Sequence, residues 1–168
     1  MKLEEAKQQF IQSWGVLGTQ WGINRTMAQI HALLLSTTDP MSADEVMDGL
    51  QISRGNANMN LRELMVWGLV DKVLKSGERR EYFTAEKDIW KVAVRIMRER
   101  RRRELEPMLQ VLDGIGNIEG DPKDKDVKAF RDTIASIQKF ARQADSALEG
   151  FAKADEHWFT GTLLKLFK

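Results

Sequence analysis

The sequence predicts a mainly α-helical fold with one small β-hairpin, and three observations carry that prediction. Apolar residues recur at steps of three and four over most of the chain. Two short helical segments lie only three or four residues apart. Leu69 to Thr84 alone shifts to strand-forming residues, around a Ser76-Gly77-Glu78-Arg79 turn. The 168 residues are 42% apolar, enough for the core of one compact unit. The formal charge is +1, from 26 Lys and Arg against 25 Asp and Glu, so a polyanionic partner has to be met by a local basic patch rather than by bulk charge.

Taken in order, Leu3, Phe10, Trp14, Leu17 and Trp21 form the aromatic-rich stripe of a first amphipathic helix, which Gly22 ends. Asn24 then caps a second helix with Met27, Ile30 and Leu34 inward, stopped by Thr37-Thr38-Asp39-Pro40. Ser42-Ala43-Asp44-Glu45 has the capping-box pattern, and Val46, Met47 and Leu50 supply the buried side of the short helix that follows. Ser53 caps a further helix to about Trp67. Its periodicity turns Ala57, Leu61, Leu64 and Met65 inward and Gly55, Asn56, Met59, Arg62 and Val66 outward.

Beyond the hairpin the chain is helical again. Ile89, Ala93, Ile96 and Met97 begin a long helix that Pro107 should bend or restart, and Leu105, Met108, Leu109 and Leu112 continue its stripe. The basic excess is concentrated in residues 87–103, where eight Lys and Arg face two acids, and includes Arg98 and Arg100 to Arg103. After a loop from Gly114 to Pro122, the positions Val127, Phe130, Ile134, Ile137, Ala141, Ala144, Leu148 and Phe151 alternate by three and four, a pattern suited to helix association. The end, Trp158 to Lys168, is too apolar for a free tail and is expected to pack on the same helices.

Several classes of function are excluded. Without cysteine there is no disulfide framework, thiolate zinc site or cysteine nucleophile, which agrees with a reducing cytoplasm. His31 and His157 are the two histidines and offer no metal spacing; His31 is expected in the core or at its rim. No nucleophile–base pair or phosphate-cradling glycine loop points to an enzyme, and neither a cofactor nor a metal is implied. The N-terminus lacks the basic-then-apolar order of a signal peptide, and no stretch is long and apolar enough to span a membrane, so the expected location is cytoplasmic.

Helix, helix, short turn, helix and two-stranded hairpin is the order of a winged helix-turn-helix, whose later helix has the width of a B-DNA major groove. The candidate DNA contacts follow from that placement. Asn56 and Asn58 can pair two ways with an adenine edge, Arg54 and Arg62 can reach guanine or phosphate, and Met59 can touch a thymine methyl. Ser42, Ser53 and the first-turn amides can hold a phosphate, and Arg25 opens the second helix. In the hairpin, Lys75, Arg79 and Arg80 stand where a wing would track the backbone or minor groove. A polar helix face is most often only solvated surface. Three asparagines between Asn56 and Asn60, however, cost helix propensity that solubility alone does not require.

Asn24 to Leu35, Ser42 to Val46, Ser53 to Leu64 with its Arg54-Gly55-Asn56, and Trp67-Gly68-Leu69-Val70 together resemble the GbsR-like branch of MarR-type transcriptional regulators. The resemblance runs from about Phe10 to Leu112, with Asn24 where the family pattern has proline. It implies a homodimeric winged-helix repressor and, for some members of the branch, sensing of choline or related osmoprotectants. Trp14, Trp21, Trp90 and Trp158 could supply an aromatic cage for such an effector, although tryptophans at helical spacing more often serve a core or interface. No effector-binding residue is assigned. The arginines from Arg98 to Arg103 are expected to pair with nearby acids or face solvent rather than touch DNA.

The expected organisation is an N-terminal dimerisation helix (1–22), a winged helix-turn-helix (23–86) and a C-terminal helical dimerisation region (87–168). The expected partners are double-stranded DNA carrying an inverted repeat, a second copy of the chain, and a small-molecule effector implied by resemblance alone. The rival is a winged-helix module whose asparagine-rich helix docks a protein instead of DNA.

Overall fold

The structure, a computed structural model, describes residues 1–116, 119, 121 and 123–153. Trp158, His157 and the apolar C-terminal end lie outside the described residues. The chain divides into two compact units, Met1–Val92 and Ala93–Lys168, rather than the one expected from its length.

The first unit contains α1 (Leu3–Gln20), α2 (Arg25–Leu35), β1 (Met41–Ser42), α3 (Ala43–Leu50), α4 (Arg54–Val66), β2 (Val70–Leu74) and β3 (Glu81–Ala85). Ile11, Ile30, Leu34, Val46, Leu61, Leu64 and Val70 are its most deeply buried large side chains, so each helix and the sheet contributes to one core. The caps fall where the sequence puts them. Asn24 accepts from the Met27 amide, Ser42 from that of Glu45, and Ser53 from that of Asn56. Each cap satisfies one of the amides a helix start leaves without an intrahelical partner.

The first helix corrects the sequence-based expectation. Its buried face is Ile11, Gly15 and Gly18, about a quarter-turn from the predicted stripe; Leu3, Phe10 and Trp21 are exposed and Trp14 and Leu17 half-buried. The reason is close approach. A Cβ on Gly18 would lie 2.6 Å from the Ala28 Cβ, and one on Gly15 would lie 2.7 Å from the Gln29 Cγ, so these glycines let α1 settle against α2. In α4 the burial of Ala57, Leu61 and Leu64 agrees with the periodicity, but Asn60 joins them inside.

The sheet has three strands rather than two, in the order β1-β3-β2, antiparallel throughout. The hairpin register sets Lys72 opposite Phe83 and Val73 opposite Tyr82, and Gly77 supplies the positive φ of its turn. Strand β1 is only Met41 and Ser42, too short for any alternation to announce it.

α5 (Ile89–Arg100) runs across the division between the units, and the second unit continues with a π-helical turn (Arg101–Leu105), α6 (Glu106–Ile115) and α7 (Lys125–Lys153). The π turn and restart have one cause. Pro107 has no N–H to donate and its ring crowds the carbonyl of Arg103, so the regular ladder gives way before it and α6 begins with Pro107 in its first turn. Leu112, Ile134 and Ala141 form the buried cluster here, with Leu105 and Leu109 against it. Other members of the predicted α7 pattern, Phe130 and Ile137, stay exposed, as does Phe140 at 72%.

Candidate nucleic-acid interface

α3 and α4 are joined by a tight turn in which Gln51 takes a left-handed conformation (φ 53°). Its backbone N–H and that of Ile52 both donate to the Met47 carbonyl, and its Nε2 donates to the Asp48 carbonyl. That turn sets the start of α4, where Ser53 is the cap and Arg54 the first helical residue. Along α4, Met59 is 60% exposed and Arg62 and Val66 are exposed, while Asn56 and Asn58 are half-buried.

Arg54 is tied to α3, its Nη2 lying 3.0 Å from Asp44 Oδ1. Beside this pair lies a shallow cleft of about 220 Å³ lined by Ser42, Asp44, Arg54, Asn58, Arg80 and Phe83, so α3, α4 and the hairpin meet there. Ser42 itself is 4% exposed. Its hydroxyl donates to Glu45 and accepts from the Glu45 amide, which makes it a helix cap rather than a surface group. The bonds from Ser42, with the charges of Lys75 and Arg80, hold the Glu45 carboxyl below the usual carboxylate range.

The hairpin is braced from within. Lys75 Nζ sits 3.9 Å from the centroid of the Tyr82 ring, Tyr82 donates its hydroxyl to Glu78, and Lys72 pairs with Glu81 at 2.5 Å. Arg79 and Arg80 are exposed near the turn. Arg25 is exposed at the start of α2, where it donates to Gln12 Oε1 of α1 at 3.1 Å. The structure therefore brings Arg54, Asn58 and Arg80 to one cleft, sets Met59 and Arg62 on the free side of α4, and engages Arg25 with α1.

Four residues that sequence reasoning missed position this surface. Asp44 holds Arg54, Asn60 holds Asn56, Tyr82 underlies Lys75, and Lys87 closes the C-terminus of α2. Lys87 Nζ donates to the carbonyls of Leu34, Leu35 and Thr37 at 2.5, 3.0 and 2.6 Å. The signal for Asp44 was an acid in the first turn of α3. The others depend on pairings across more than fifty residues, across the hairpin, or inside the core. His31 lies in that core as expected, 3% exposed and with Nε2 unpartnered, its ring centroid 6.3 Å from that of Trp14. Burial, helped by the Lys87 charge, lowers its pKa from 6.5 to about 4.

In the second unit Arg100 to Arg103 pair with acids, as the sequence led one to expect, while Arg98 donates to the Ala152 carbonyl. Arg101 makes a two-pronged contact to Asp145 at 2.5 and 3.0 Å and a second to Glu106 at 3.3 Å. Glu99 accepts from Arg102 and Arg103, and those bonds hold its carboxyl below the usual range against the opposing effect of burial. Among the described residues no cluster of His, Cys, Asp or Glu could hold a metal ion, and no helix is long and apolar enough to cross a membrane.

No protein-family model matches the chain, and no curated protein matches it. A solved structure does: the crystal structure of a transcriptional regulator aligns with a TM-score of 0.56 at 18% identity, covering 86% of this chain and 99% of its own. Likeness at that identity establishes the fold. With the α3–α4 pair, the three-stranded sheet and the flanking helices, this chain has a winged helix-turn-helix fold.

Proposed function

We propose that this protein is a sequence-specific DNA-binding transcriptional regulator of the GbsR-like branch of the MarR type. In this proposal it is a cytoplasmic homodimer that represses by occupying an inverted-repeat operator. The observation that carries the proposal is the outer face of α4, where exposed Met59 and Arg62 sit on a capped helix followed by a hairpin with a basic tip. A helix of this width fits the major groove, and Arg62 is long enough to reach a guanine edge. Arg54, Asn58, Arg79 and Arg80 supply backbone and base contacts on either side, and the free amides after Ser53 can receive a phosphate. The shared fold with a protein described as a transcriptional regulator supports the same conclusion.

Dimerisation is supported by apolar surface. Leu3 and Phe10 on α1, Trp21 at its C-terminal cap, and Phe130, Ile137 and Phe140 on α7 are exposed in the single chain, and a second copy would cover them. A small-molecule effector would act by binding the two spacings of such a dimer with different affinity. The test is anisotropy on a selected duplex. Arg62→Ala is expected to lose roughly 1 to 3 kcal/mol on that site and to relax its sequence preference. Equal loss on unrelated DNA would count against base readout, and salt-insensitive capture of a protein without DNA would favour the docking alternative.

A further inference from the structure

Asn60 is 3% exposed, and its Nδ2 donates both to the backbone carbonyl of Asn56 at 2.9 Å and to Asn56 Oδ1 at 2.6 Å. The order of atoms in this pair is fixed by chemistry. A backbone carbonyl can only accept, so the Asn60 atom against it must be nitrogen. The Asn56 side-chain atom against that same nitrogen must then be oxygen. The Asn56 amide is thereby oriented, with its oxygen turned in toward Asn60 and its NH2 turned away. Among the described residues no group accepts from that NH2.

We infer that Asn60 is a positioning residue that makes Asn56 a donor-only reader of the major groove, selecting guanine rather than adenine at the base pair it faces. This rests on the DNA-binding function proposed above. The two-way pairing of asparagine with adenine needs the amide oxygen to accept from N6–H2 while the nitrogen donates to N7. With Oδ1 turned in toward Asn60, the NH2 is what faces outward, and no acceptor is left there to meet the adenine N6–H2. Guanine presents two adjacent acceptors, O6 and N7, which a donor-only group can satisfy, whereas cytosine presents the N4–H2 donor and is rejected. Asn58 carries no such constraint, so the two asparagines that look equivalent in sequence read different edges.

Selection of bound duplexes from a random pool by the full chain tests this, using the unaltered protein and two variants. The unaltered protein is expected to select guanine at one position of each half-site, by roughly five- to a hundredfold over adenine. Asn56→Asp keeps an oxygen toward Asn60 and replaces the outward donor with an acceptor, so that same position is expected to switch to cytosine. Asn60→Ala frees the amide to turn over and is expected to admit adenine there. Should Asn60→Ala fold poorly, Asn56→Asp, at a half-buried helix position, carries the test alone. Adenine selected by the unaltered protein at the position that Asn56→Asp alters, or a specific site in which no position switches in Asn56→Asp, overturns this inference while leaving DNA recognition standing. Failure of the unaltered protein to enrich any sequence overturns both.

Discussion

Replacing His31 by leucine should flatten the dependence of folding stability on pH between neutrality and mild acid. His31 is buried against α1 with an unpartnered Nε2, and its pKa falls from 6.5 to about 4 through burial first and the Lys87 charge second. In the unfolded chain the imidazole takes up a proton near its ordinary pKa; in the folded chain it does so only well below. Protons therefore favour the unfolded state as pH drops below 6.5, and the stability the neutral ring confers is fully present above that value. The loss amounts to about 1 kcal/mol between pH 7 and pH 5.5, and levels off at about 3 kcal/mol once both states are protonated. Urea melts of the unaltered protein and His31→Leu at the two pH values measure it, over a window in which most carboxylates do not titrate. The variant should lose about 1 kcal/mol less than the unaltered protein on acidification. Equal losses in the two proteins would refute the assignment of a buried neutral imidazole.

Gly18→Ala should destabilise the first unit, since its Cβ would meet that of Ala28 at 2.6 Å. Overpacking of this kind costs roughly 1 to 3 kcal/mol, against a gain of about 1 from helix propensity. Gly55→Ala, with nothing within 4 Å of its Cβ, should be neutral or stabilising in the same urea melts. Lys87→Met, which strips a charged donor from three carbonyls at the end of α2, should cost about 1 kcal/mol in thermal or urea unfolding. Arg79→Ala, near the hairpin turn, should weaken binding to all duplexes alike and lower the slope of log affinity against log salt by about one unit. An unchanged slope would remove the hairpin from the contact surface.

Most of the helical framework was legible because its determinants are local. The Asn24, Ser42 and Ser53 caps, the Gly22 stop and the hairpin glycine each act within a few residues, and the structure has them in place. The face of α1 was misread because hydrophobicity marks Phe10, Trp14 and Trp21, while the contact with α2 is decided by the absence of side chains at Gly15 and Gly18. Strand β1 escaped because two residues cannot show a period of two, and their pairing partners, Tyr82 and Phe83, lie forty residues on. In the candidate site the residue types and their helix were visible. Which amide atom Asn56 presents was not, because it depends on Asn60 sitting inside a face otherwise lined by Ala57, Leu61 and Leu64.

The central claim, that α4 reads DNA in a twofold pair, is tested most directly by sequencing the duplexes that the purified chain retains from a random pool at physiological salt. The expected result is a symmetric motif whose half-site centres lie about 34 to 36 Å apart, with its strongest positions lost in Arg62→Ala. Retention of sequences sharing no motif, or a motif unaltered by Arg62→Ala, would contradict it.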